Sequence, residues 1–91
     1  MEWLTGANDR QCREVCDLLT ERQRDTLEAF AQGLRPKEVA ERLSIAVATV
    51  NSHKSVILDH CRNVWKLEAD EAIDYHWLRD RFALFMQRAG D

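Results

Sequence analysis

One proline and three glycines in 91 residues leave little turn material, which weighs against a fold made of many tight turns. No apolar run approaches the roughly 20 residues needed to span a bilayer. The opening stretch MEWLTGANDRQ lacks the basic-then-apolar layout of a signal peptide. No membrane partner is expected. A cytoplasmic location follows by default, and there Cys12, Cys16 and Cys61 should stay mostly reduced. The sequence has no Gly-rich phosphate loop, no nucleophile beside a base and no paired carboxylates marking a pocket, so it is not expected to be an enzyme. No cofactor and no small-molecule ligand is implied.

Ala, Leu, Glu, Arg and Gln abound instead. They favour an all-α fold, a small helical bundle. Residues 1–91 read as a single domain, too small for a catalytic domain plus a sensor. Within it, 19–62 forms a central motif and 68–88 a C-terminal helix.

The formal net charge of −3 argues against a nucleic-acid partner only if it is read globally. Residues 1–19 carry two bases and four acids, and residues 63–91 carry four bases and six acids. Residues 20–62 carry seven bases and six acids, and 44–58 hold Lys54 with no acid at all. The acids sit on the flanks and leave one segment that can approach phosphates. Affinity from counterion release grows with the number of basic contacts, so modest binding is expected.

Apolar spacing places the helices. Asn8 or Asp9 can cap a first one, whose stripe is Cys12, Val15, Cys16 and Leu19. Thr20 with Gln23 three residues on is a capping-box pattern, and Leu27, Phe30, Ala31 and Leu34 form the second stripe. Gly33 suits a helix end that needs positive φ. Pro36 and Glu38 open a short third helix over about 36–43. Only Ser44, Ile45 and Ala46 separate it from a fourth, running from Val47 to about Cys61. So short a joint forces a sharp crossing, as in a helix-turn-helix. On the fourth helix Val50, Ile57, Leu58 and Cys61 face inward, while Asn51, Ser52, Lys54 and Ser55 face outward. Trp65 and Leu67 pack back from a connector.

A last helix is expected over roughly 69–88. At 100° per residue its apolar side chains split into two groups. Ile73, Trp77 and Leu84 form one, while Tyr75, Leu78, Phe82, Phe85 and Met86 form another about 120–220° away. A lone domain buries one such face. The second, through Tyr75, Leu78, Phe82 and Phe85, is assigned to a twin chain, which makes the protein a homodimer.

Residues 19–58 resemble the helix-turn-helix of LuxR/NarL-type transcription regulators. The resemblance rests on Leu19-Thr20-x-Arg22, Ala31-x-Gly33-Leu34, Lys37-Glu38-Val39-Ala40 and Thr49-Val50-x-x-His53. It implies a tetra-helical DNA-binding domain acting as a dimer on double-stranded DNA, here with extra N- and C-terminal helices. By position, Lys37 and Thr49 would contact the phosphate backbone, and Asn51, Ser52 and Ser55 would reach base edges. Lys54 would hold a phosphate or a base edge. Asn can read adenine with two hydrogen bonds, and Ser can donate or accept. His53 reads as a packing residue. The family usually places a receiver or ligand-binding domain ahead of this motif; residues 1–18 are too short for either, so a stand-alone form is expected. The run Asp74-Tyr75-His76-Trp77-Leu78-Arg79 is similar to that of small stand-alone cyanobacterial regulators of this type.

Several positions depart from the family pattern. Ala46 replaces the usual Ser, which removes a side-chain N-cap worth about 1 kcal/mol. Val47 and Ala48 replace a frequent Pro and base, Asp59 and His60 replace bases, and Gln23 replaces a Glu. A protein-binding adaptor built on the same scaffold is the alternative function. Cys12, Cys16 and Cys61 are candidates for redox sensing, although buried cysteine commonly acts as a small hydrophobe. Cys12 and Cys16 share a helix face at a spacing that disfavours a bond between them. A metal site from Cys12, Cys16, His60 and Cys61 is disfavoured, because C-x3-C is not a usual zinc spacing.

Overall fold

A computed structural model describes residues 2–68 and 70–89, with side-chain surroundings for 9–68 and 70–86. The described residues form five helices and no strand: α1 (Glu2–Leu18), α2 (Glu21–Ala31), α3 (Pro36–Leu43), α4 (Val47–Trp65) and α5 (Tyr75–Ala89). The all-α reading is correct.

Local chemistry sets most of the boundaries. At the start of α2 the Gln23 backbone N–H donates to Thr20 Oγ1 (3.3 Å) and the Thr20 N–H donates to Gln23 Oε1 (3.0 Å), a reciprocal cap. At α3, Pro36 takes the first turn, and Glu38 Oε1 accepts from the Arg35 N–H at 2.9 Å. Three helices end in the same way, with one residue at positive φ and a backbone bond spanning five residues. Gly33 (φ 93°) closes α2 through Leu34 N–H to Ala29 O. Ser44 (φ 56°) closes α3 through Ile45 N–H to Ala40 O, and Lys66 (φ 56°) closes α4 through Leu67 N–H to Arg62 O. This is the Schellman arrangement, which satisfies the last carbonyls and reverses the chain within three residues.

Three boundaries differ from the sequence expectation. α1 begins at Glu2, so Asn8 and Asp9 lie inside it rather than capping it. A cap-former exerts its preference only where no neighbouring turn already satisfies the backbone. α4 continues past Cys61 to Trp65, because Val64 and Trp65 carry its buried stripe onward. α5 begins at Tyr75 rather than near residue 69. Asp74 is the reason: its Oδ1 accepts from the His76 N–H at 3.0 Å, a side-chain cap two residues ahead. Of the segment assigned to that helix, Ala69 lies outside the described residues, as do Met1, Gly90 and Asp91 of the domain.

The core draws on every helix. Cys12, Val15, Leu27, Phe30, Val39, Val50, Ile57, Cys61, Leu78 and Phe82 are all fully buried. This overturns the assignment of α5. Leu78 and Phe82 are 0% exposed and Phe85 is 8% exposed within a single chain. Tyr75, partly buried, stacks on Phe30 of α2 with ring centroids 5.6 Å apart. The group expected to meet a twin chain therefore completes this chain's own core. A helical wheel separates two apolar stripes but does not say which one turns inward. The larger group supplies the rings that fill the space between α2 and the end of α4, where Phe82 meets Trp65 at 5.9 Å. On the other stripe Ile73 and Trp77 are half-buried and Leu84 is 68% exposed.

Candidate nucleic-acid interface

α3 and α4 position the candidate interface. Val39 and Ala40 seat α3 in the core. Its outer end is tied to α2 by Arg42, whose guanidinium donates to Gln32 Oε1 at 2.8 Å. The joint of Ser44, Ile45 and Ala46 then fixes the crossing of α3 and α4, with Ile45 packed against the core as an anchor. α4 turns Val50, Ile57, Leu58 and Cys61 inward. With that face committed, its opposite face is left to solvent.

Each site residue named from the sequence can be located. Lys37 is exposed on the first turn of α3, and Thr49, Asn51, Ser52 and Ser55 are exposed on α4. Lys54 differs: it is half-buried, between the core side and the outer face. A wheel at 100° per residue puts it about 120° round from Ala48. Its long stem can lie along apolar surface while the ammonium reaches solvent. Asn51, Ser52 and Ser55 lie together on one outward strip, while Lys37 and Thr49 stand nearer the joint. Ser52 Oγ donates to its own helix at Ala48 O, 3.1 Å away. The hydroxyl hydrogen is thereby engaged and the oxygen remains an acceptor.

The outward strip also carries Ala48 and Val56, the latter 37% exposed. The sequence reading did not single them out; stepping Asn51 and Ser52 back and forward by three and four residues is the signal that reaches them. Val47 at the first turn is 43% exposed. Ala46 provides no side-chain cap at the positive end of the α4 dipole, where Thr49 N–H bonds back to Ala46 O at 3.0 Å. Asp59, the acid nearest this face, is paired with Arg62 at 3.3 Å. Arg62 also donates to Glu71 O at 3.5 Å, which ties the end of α4 to the connector and offsets the negative charge.

The cysteines lie elsewhere. Cys12 and Cys61 are fully buried, and Cys16 is half-buried beside them. The Cys12 thiol donates to Arg81 O on α5 at 3.4 Å. Burial pushes the Cys61 thiol up to about 12, reinforced by the neighbouring Cys12 and Cys16. Burial also raises Cys16, against a lowering by Arg24. Reactive thiols need the opposite shift. Among the described residues no group of three His, Cys, Asp or Glu side chains is arranged to hold a metal ion. Nor is any helix there long and apolar enough to cross a membrane.

Residues 17–62, just over half of the chain, match the family described as bacterial regulatory proteins, luxR family. No curated protein and no solved structure matches the chain closely enough to be called similar. The matched segment runs from the end of α1 through Arg62 of α4, so most of α1 and all of α5 lie outside it. The chain belongs to the luxR family, and it is a helix-turn-helix transcription regulator that binds double-stranded DNA.

Proposed function

We propose that this luxR-family chain binds DNA sequence-specifically as a homodimer, with the outer face of α4 in the major groove. One observation carries the reading. The face opposite the buried Val50, Ile57, Leu58 and Cys61 is exposed, polar apart from Ala48 and Val56, and free of acid from Ser44 through Leu58. Asn51, Ser52 and Ser55 reach base edges, while Lys37, Thr49 and Lys54 hold the backbone. Two such helices related by a two-fold axis would lie one DNA turn apart, about 34 Å. The pairing contact moves to the outer side of α5, around Leu84, which is 68% exposed. A two-fold axis beside Leu84 would bring the same side chain of both chains together.

The three cysteines enter the proposal as core side chains rather than as a redox switch. The burial of Cys12 and Cys61 and the raised thiol pKa of Cys16 and Cys61 support that role, since a protonated thiol is a poor nucleophile.

The test is gel retention of genomic fragments at two salt concentrations. Binding should weaken as salt rises, because each phosphate contact releases counterions. Lys54→Glu should abolish retention with helix content unchanged. Retention that ignores Lys54→Glu would refute the placement, and no retention at either salt concentration would leave a protein-binding adaptor.

A further inference from the structure

The outward face of α4 lacks what most readily recognises a G·C pair. Bidentate contact to guanine O6 and N7 needs Arg or Lys. Between Val47 and Leu58 the only base is Lys54, half-buried and roughly 120° round the helix from Ala48. A serine hydroxyl can give guanine only a single hydrogen bond; Ser55 keeps that option, whereas Ser52 already donates to Ala48 O at 3.1 Å. Its oxygen can only accept, as from the N6–H of adenine or the N4–H of cytosine.

The same face does carry partners for an A·T pair. Asn51 is exposed and matches adenine N6 and N7 with one donor and one acceptor. Ala48 and Val56 are exposed apolar side chains on a polar helix face. Their methyl groups are complementary to the C5-methyl of thymine, the one apolar group in the major groove. Eight steps along the helix separate them, about 12 Å, or roughly three to four base steps at about 3.4 Å each.

From this face we infer that the chain reads A·T-rich half-sites, with Asn51 on adenine and Ala48 and Val56 against thymine methyl groups roughly three to four base steps apart. The inference rests on the DNA-binding reading above and names the kind of sequence that the same face selects.

The experiment selects duplexes from a random pool with the purified full chain at low salt, then rebuilds the winner with deoxyuridine for thymine. That exchange removes only the C5-methyl. Selected half-sites should have an A·T core, and uracil should weaken binding about fourfold for each contacted methyl. Val56→Ser, at an exposed position, should make thymine and uracil equivalent at one position and leave the other unchanged. A G·C core, or equal binding of thymine and uracil duplexes by the wild type, overturns the inference while leaving DNA binding intact. If no duplex is retained at low salt, the DNA-binding reading falls and takes this one with it.

Discussion

Trp65 and Trp77 meet edge to face, with ring centroids 5.2 Å apart and planes at 85°. Trp65 is the last residue of α4 and Trp77 lies in the first turn of α5. The helix proposed to face DNA is therefore anchored, at its far end, by the helix outside the family match. Phe82 packs on the same Trp65 ring at 5.9 Å, and the Arg81 guanidinium lies 5.4 Å above Trp77.

Trp65→Ala should therefore loosen α5 before it disturbs the outer face of α4. A loss of about 3 kcal/mol is expected from the emptied volume. Urea unfolding should show the drop. Duplex binding, measured where the variant is still folded, should change little. A variant as stable as the wild type would mean that the ring pair contributes nothing.

Two helix ends can be improved. Lys66 sits at φ 56°, where a side chain costs about 1 kcal/mol relative to glycine, so Lys66→Gly should stabilise by about that amount. Ala46 begins α4 without a side-chain cap, and Ala46→Ser should add about 1 kcal/mol. The sites are independent, so thermal midpoints should rise additively. A lower midpoint for either variant would contradict its assignment.

Stability should fall in strong alkali through Cys61. Its thiol is raised from 9.0 to about 12 by burial. The folded chain thus holds this proton after the unfolded chain has released it. The contribution is fully present below about pH 9 and declines as pH rises from 9 towards 12. Cys61→Ala should flatten that part of the curve in urea titrations compared across pH. An equal slope in both proteins would show that the thiol is not protected.

Pairing through α5 predicts that Leu84→Asp sediments as a monomer while the wild type sediments as a dimer. Leu84 is 68% exposed, so the substitution should leave the fold intact. A monomeric wild type would refute the homodimer. A dimeric variant would move its contact off this ridge.

Phe82 shows where reading the chain ran short. Its helix and its stripe are legible from spacing, yet spacing points it at a partner while the fold buries it fully within its own chain. Lys54 was grouped with Asn51 and Ser55, but it stands half-buried off their strip. Both errors concern direction around a helix axis. A period of 3.6 residues gives relative angles but no absolute heading.

Short-range chemistry was enough for the Thr20–Gln23 cap, the Gly33 turn, the bounds of α3 and the three-residue joint before α4. These depend on neighbours within about five positions, so the order of residues carries them. Which side of α5 turns inward, how far α4 extends and how the three thiols come together depend on surfaces supplied by distant segments. Burial is a property of the packed whole, and no local pattern encodes which of two apolar faces will find a partner first.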